Sequence, residues 1–406
     1  MGYTSPIQAL TEATLSTQIF SNIISAKDEY MAKIYLVRHC ESEGNATRRT
    51  QAQTDALVTV KGYEQNEVLR RRFHGVHLDA IYASDAFRSI ATADPIAKER
   101  GLPIRVRISL REVTTGVWED MAWGNIAQEY PEANQVWSDA PWDNITPGAS
   151  SFRQVAENAT HCLRRIAREV GRDGAAMVVS HSCTIKATLC MIAGKPMSCV
   201  KEMGHGDNTS VSLLDVDENG VIRIEYMNDD SHLPDHLRRS WGGVAGSDIN
   251  MAVYPCRLPE QAEDLLKLAA ADAAQRGADF DGAAYLREAE TLLNRYPDRI
   301  ALSYLKGQPS GFIRFDHLPE MPDGDIAVQQ LYVIPALQQK GYGEQLFGYA
   351  CHVLRYQGQN RIVMRTDGTP EETRVASRFA MDDMHGFPGC RAMYLYCPPC
   401  PYPVLA

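Results

Sequence analysis

No stretch of about 18 or more apolar residues occurs in this 406-residue chain, so no membrane-spanning helix is expected. It also has no long basic run: 41 Lys and Arg stand against 51 Asp and Glu, for a formal net charge of -10, which argues against nucleic acid as a partner. Residues 1–30 lack a basic start followed by a continuous apolar core, so no secretory signal is expected there. The ten cysteines are scattered rather than clustered as a disulfide framework. Cys162, Cys190 and Cys351 sit in apolar or helical contexts, which suits reduced thiols and a cytoplasmic location. Cys397-Pro398-Pro399-Cys400 is a lone pair without the second pair or histidines that a closed zinc site needs, so no metal is expected. What remains is an ordinary globular composition, 44% apolar and 23% charged, long enough for two or three domains with their own cores.

From residue 33 to about 245 strand-like and helix-like segments alternate. Strands are expected at 33–37, 79–82, 104–107, 176–180, 210–216 and 221–226, and helices at 60–73, 85–100, 122–130, 151–170 and 183–193. This alternation predicts an α/β sandwich on a mainly parallel sheet. Ligands of such sheets lie beyond the carboxyl ends of the strands. Arg38 and His39 follow one such end and Ser180-His181 another, while a third leads through Ser84 to Arg88 in the next helix. Taken alone, each has an ordinary structural reading: a hydrogen-bonded histidine, a solvated arginine, a surface Glu112. Together they match what phosphomonoester chemistry demands. Two guanidiniums can grip the phosphoryl oxygens and neutralise their charge in the transition state. A neutral imidazole can attack phosphorus, and nearby positive charge keeps it neutral. A carboxylic acid can protonate the leaving oxygen.

The motifs in order resemble the histidine phosphatase superfamily, also called phosphoglycerate-mutase-like. They are Leu36-Val37-Arg38-His39-Cys40-Glu41-Ser42 with Asn45, then Thr59-x-x-Gly62-x-x-Gln65, then Ser84-x-x-x-Arg88-x-x-x-Thr92-Ala93. Leu110-Arg111-Glu112 with Gly116–Asp120, Val178-Val179-Ser180-His181 and Asn208-Thr209-Ser210 follow. The resemblance covers about 33–245 and implies a three-layer α/β/α sandwich. It implies His39 as nucleophile, Glu112 as proton donor, and Arg38, Arg88 and His181 as phosphate ligands, with Asn45 and the Ser182 amide as further substrate contacts. Three positions depart from the family pattern: Cys40 and Ser182 replace the usual glycines after each histidine, and Gly148-Ala149-Ser150 replaces Gly-Glu-Ser. Cys40 reads as a small buried thiol, with an oxidisable thiol beside the arginines as the alternative.

Trp241–Ser247 reads as a linker of small residues, dividing an extension (1–30) and a first domain (31–245) from a second (251–406). In the second, a strand begins near 251–254, helices are expected at 259–276 and 281–296, and strands at 299–306, 310–316 and 325–334. Gln338-Gln339-Lys340-Gly341-Tyr342-Gly343-Glu344 then opens a helix running to about 357. A glycine-containing strand–helix loop is an anion cradle, though this one fits neither the dinucleotide fingerprint nor the P-loop. Its spacing, after Leu331-Tyr332-Val333-Ile334-Pro335, resembles the GNAT family of acetyl-CoA-dependent N-acetyltransferases, with Gly386-Phe387 like that family's late turn. The resemblance implies a mixed α+β domain with a central twisted sheet. It implies acetyl-CoA held by Gln338, Gln339, Lys340, Gly341, Gly343 and Glu344, with its pyrophosphate on the amides of residues 339–344, its pantetheine and acetyl group oriented by the Leu331 and Val333 backbone, and an amine acceptor. The tyrosine this family uses as an acid is replaced by Asp382.

The chain is thus expected to be bifunctional: a metal-independent phosphatase for a small phosphorylated metabolite, plus an acetyltransferase. A mutase, or a regulatory protein that binds a phosphorylated ligand and senses acetyl-CoA, are the alternatives.

Overall fold

The structure is a computed structural model that describes residues 30–204, 206–238, 249–318, 325–366 and 368–405. The expected N-terminal extension, save Tyr30, and the expected linker Trp241–Ser247 lie outside the described residues.

The first sheet contains β1 (Tyr30–Arg38), β2 (Ala80–Ala83), β3 (Ile104–Arg107), β4 (Gly174–Ser180), β5 (Val211–Asp217) and β6 (Ile222–Asp229). They lie in the order β3-β2-β4-β1-β5-β6, parallel from β3 to β1 and antiparallel beyond. Its helices are α1 (Glu43–Thr47), α2 (Val60–Phe73), α3 (Phe87–Arg100), α4 (Trp123–Glu129), α5 (Pro131–Asp139), α6 (Phe152–Val170) and α7 (Ser182–Ile192). Alternate residues of β1 face opposite cores. Ile34 and Leu36 join Leu163, Ile166 and Leu189 of α6 and α7, whereas Val37 joins Leu69, Phe73, Ile90 and Ile96 of α2 and α3. That two-sided burial makes the expected three layers. α1 and α5 were not expected: five residues, and nine with none buried, leave no apolar period to read.

Register sets the site. Arg38 pairs with Ser180 across β1 and β4, so the next residue of each strand, His39 and His181, emerge side by side at the carboxyl edge. Ala83 pairs with Val179, which brings Ser84 to the same edge.

The second sheet contains β7 (Ala252–Pro255), β8 (Ile300–Leu305), β9 (Gln308–Asp316), β10 (Ile326–Val333), β11 (Arg361–Arg365), β12 (Asp382–Asp383) and β13 (Cys390–Tyr394), in the order β12-β13-β11-β10-β9-β8-β7. α8 (Ala262–Gln275) and α9 (Gly282–Arg295) cover one face through Leu265, Leu268 and Leu292. α10 (Tyr342–Tyr356) and α11 (Pro370–Arg378) cover the other through Leu346, Phe347, Leu354 and Val375. β10 and β11 run parallel, pairing only over Ile326–Val328 and Ile362–Met364.

The two halves share surfaces. α10 packs on α1, and Ala46 of α1 is buried in the core of the second sheet. The last strand, β14 (Val404–Leu405), returns to pair in parallel with β3 at the edge of the first sheet. No helix among the described residues is long and apolar enough to cross a membrane.

Candidate active site

A cavity of about 370 Å³ opens at the carboxyl edge of the first sheet. Arg38, His39, Asn45, Arg88, Glu112 and Ser182 all line it, so six of the seven residues expected there converge from five places along the chain. His181 does not line it. Its ring lies behind, fully buried, with its centroid 5.1 Å from that of His39.

Hydrogen bonds fix both imidazoles. His39 Nδ1 lies 2.7 Å from the Cys40 carbonyl, which can only accept, so Nδ1 carries the proton and Nε2 keeps its lone pair. For His181, Nδ1 accepts from Arg88 Nη2 at 3.3 Å, and Nε2 donates to Ser84 Oγ at 2.7 Å, which passes a bond to Ser89 Oγ. His181 therefore orients Arg88. Arg88 is 1% exposed; its other donors reach the carbonyls of Ala52 and Thr54, and its Nε is buried without a hydrogen-bond partner. Burial, then the Arg88 and Arg38 guanidiniums, hold His39 well below the ordinary histidine pKa, and His181 is lowered chiefly by burial too.

This depression links to stability. The unfolded chain takes a proton on His39 near pH 6.5, while the folded protein resists it. Below that pH the unfolded state binds more protons, so stability present above about 6.5 is lost as the pH falls. Urea unfolding of wild type and His39→Ala at two pH values checks the sign: between about pH 7.5 and 5.5 the wild type should lose about 1 kcal/mol more than the variant.

Glu112 faces the cavity while its carboxylate accepts from the Val113, Cys183 and Thr184 amides at 2.9–3.1 Å and from Thr184 Oγ1 at 3.0 Å. It thereby also caps the first turn of α7. The segment after His39 is gripped by the second motif. Gln65 Oε1 accepts from the Glu41 amide, the Thr59 amide donates to the Glu41 carbonyl, and Thr59 Oγ1 donates to the Glu41 carboxylate. Gly62 is required by that approach, since a Cβ there would sit 2.2 Å from the Glu41 carbonyl oxygen. Cys40 is fully buried and burial pushes its thiol up to about 12, so the small-buried-thiol reading holds over the oxidisable one.

Sequence reasoning missed several lining residues: Arg48, Arg49, Lys186, Trp123, Trp137 and Asn208. Asn208 had a signal, as the first residue of a quoted motif; its Nδ2 donates to the His39 carbonyl at 2.9 Å. The others lie on α4, α5, α7 and the turn after α1, where nothing local marks them.

In the second domain the expected loop forms. Gly341, at φ +89°, caps α10, and Gln338 Nε2 donates to the Val333 carbonyl at 2.8 Å. The amides assigned to the cofactor already have partners. Gln339 N donates to Glu371 Oε2 and Leu331 N to Glu372 Oε1, both at 3.3 Å. A Cβ at Gly343 would meet Glu371 Oε1 at 2.6 Å. Glu344 is buried and held by Arg374 through two 2.6 Å bonds, and Glu372 is paired with Arg276 at 2.6 Å. Lys340 Nζ is turned to the Ala336 carbonyl. Gly386-Phe387 forms the expected turn, between β12 and β13, while Asp382 is exposed on the edge strand.

Residues 34–230 match the histidine phosphatase superfamily (branch 1), and residues 264–380 match the acetyltransferase (GNAT) family. Phosphoserine phosphatase 1 of Hydrogenobacter thermophilus is 29% identical over 196 residues, covering 48% of this chain and 92% of that protein. Probable phosphoglycerate mutase GpmB of Salmonella typhi is 28% identical over 207 residues, covering 50% of this chain and 95% of its own. Among solved structures, YhfR of Bacillus stearothermophilus shares 28% identity at a TM-score of 0.47, covering 50% of this chain and 98% of its own. A GNAT domain implies acetyl-CoA. The loop as arranged does not fit that group, because carboxylates occupy amide donors that a pyrophosphate and pantetheine need, and like charge faces like charge. The chain joins a histidine phosphatase superfamily domain to a GNAT-family acetyltransferase domain.

Proposed function

We propose that the first domain hydrolyses a phosphomonoester of a small metabolite through a phosphohistidine at His39. The observation that carries this reading is the His39 tautomer: Nδ1–H is committed to the Cys40 carbonyl, so the unprotonated Nε2 sits in a cavity with two arginines. Arg38 and Arg88 hold the phosphoryl group and offset the charge developing on it. Nε2 attacks phosphorus as the bond to the leaving oxygen breaks, and Glu112 supplies that oxygen's proton. Water then attacks the phosphohistidine, giving a proton back to the Glu112 carboxylate, and phosphate leaves. Of the two carboxylates lining the cavity, Glu41 is tied to Thr59 and Arg378, which leaves Glu112 for proton transfer. A 370 Å³ cavity suits a metabolite-sized substrate. Rapid quenching during turnover of a radiolabelled phosphomonoester tests the reading. An acid-labile, base-stable label on His39 is expected, and its absence while phosphate is released would overturn the reading.

For the second domain, acetyl-CoA-dependent transfer to an amine is the activity its family suggests. The carboxylates of Glu371 on the Gln339 loop amide and of Glu372 on the Leu331 amide of β10 favour the other reading, a domain that does not turn over acetyl-CoA in this arrangement. Calorimetry separates them. Wild type is expected to show no binding heat up to about 1 mM acetyl-CoA, an affinity too weak for use. Glu371→Gln/Glu372→Gln, which removes both charges, is expected to bind measurably. Tight binding by wild type, with thiol release in the presence of an amine, would restore the transferase reading.

A further inference from the structure

We infer that the acetyltransferase-like domain braces the phosphohistidine segment, and that Arg378 and Arg355 are positioning residues of the phosphatase reaction. The inference rests on the reading of His39 given above. Two residues after His39, the Glu41 carboxylate is 8% exposed as a residue and accepts from Arg378 Nη2 of α11 at 2.6 Å. Two residues further, Glu43 opens α1 at 2% exposure, and among the described residues its ion-pair partner is Arg355, near the end of α10. A buried carboxylate needs such a partner, because leaving it uncompensated in a low dielectric is costly. Glu43 is therefore balanced from the other domain, and Glu41 from both sides, by Arg378 and, at 3.8 Å, by Lys61 of its own domain.

Packing reinforces the two ion pairs. Gly348 of α10 lies so close to α1 that a Cβ there would sit 2.5 Å from Thr47 Cβ. A third tie runs through Asp120, which accepts from Arg49, a cavity residue, at 3.0 Å and from His352 of α10 at 2.7 Å. Arg355 Nε in turn donates to the Leu395 carbonyl at 2.7 Å, so α10, α1 and the C-terminal segment form one block. The segment His39–Thr47, which carries both the nucleophile and Asn45, is pressed between its own sheet and this block. A shift of the order of 1 Å in a positioned reacting group can cost about a hundredfold in rate.

The test uses the full-length chain and p-nitrophenyl phosphate, whose phosphoryl group is gripped by Arg38 and Arg88 on elements outside the braced segment. Arg378→Gln is expected to lower kcat and the single-turnover rate of phosphoenzyme formation by about tenfold to a hundredfold, while KM changes by less than about threefold. Arg378→Lys, which can still pair with Glu41, should recover most of that loss. Gly348→Ala, with both arginines intact, should push α10 off α1 and slow phosphoenzyme formation as well. A merely structural role would lower the melting temperature of these variants and leave the folded protein's kcat unchanged. That result overturns the inference. Where Arg378→Gln yields no folded protein, Gly348→Ala decides the matter: phosphoenzyme formation at the wild-type rate in that variant overturns it. A wild type that forms no phosphoenzyme overturns the phosphatase reading instead, so the two failures are distinguishable.

Discussion

His39→Ala is expected to lower kcat for phosphate release by a factor on the order of 10⁴ or more, with the fold and phosphate binding retained. Without the ring, water must attack the substrate directly, and among the described residues no second unprotonated imidazole lines the cavity. His181 cannot substitute. Its Nδ1 is taken by Arg88 and its Nε2 by Ser84, and the ring lies behind the cavity wall. The binding groups stay in place, because Arg38 donates to the Gly206 carbonyl and Arg88 to the carbonyls of Ala52 and Thr54, none of which involves His39. Inorganic phosphate should therefore bind the variant within a few-fold of its wild-type affinity, as calorimetry would read. Assays of the purified proteins with p-nitrophenyl phosphate supply the rate. A variant retaining more than about a tenth of wild-type kcat would rule out the covalent route. Loss of both rate and phosphate binding would point to a collapsed pocket instead.

The parts of the site that were legible in the sequence are those set by short-range rules. An apolar run ending in Arg38-His39, and another ending in Ser180-His181, place their polar residues at a strand edge because alternate residues of a strand buried on both faces leave no other exit. Arg88 and Glu112 follow from the same edge. Illegible were the contacts that depend on how two domains meet. Arg355 and Glu43 are 312 residues apart, and Arg378 and Glu41 are 337 apart; no spacing links them. β14 is two residues long and carries no period. α11 buries few apolar side chains, so the hydrophobic pattern passes over it. Its start was readable nonetheless: Thr369 and Glu372 form a capping box with Pro370 at the first turn. That signal marks where α11 begins, but the contacts of Glu371 with Gln339 and of Glu372 with Leu331 span 32 and 41 residues and depend on how the elements pack.

Glu112→Gln should separate proton donation from every other role of this residue. Gln is nearly isosteric, and its carbonyl can still accept from the Val113 and Thr184 amides, so the cap on α7 is largely kept. What it cannot do is give up a proton to a departing alkoxide. For an alkyl phosphate, whose leaving group is a poor anion, kcat should fall by about 10²–10³. For p-nitrophenyl phosphate, whose leaving group departs as a stable phenolate, formation of the phosphoenzyme should slow by less than about tenfold. Hydrolysis of the phosphohistidine needs the Glu112 carboxylate to take a proton from water. The variant should therefore accumulate phosphoenzyme on the aryl substrate, seen as a burst of p-nitrophenolate followed by a slow steady state. Equal losses on both substrates with no burst would mean that Glu112 acts only through the helix it caps. The proton would then come from elsewhere in the cavity, and the carboxylate to examine would be Glu41, once its tie to Arg378 is broken.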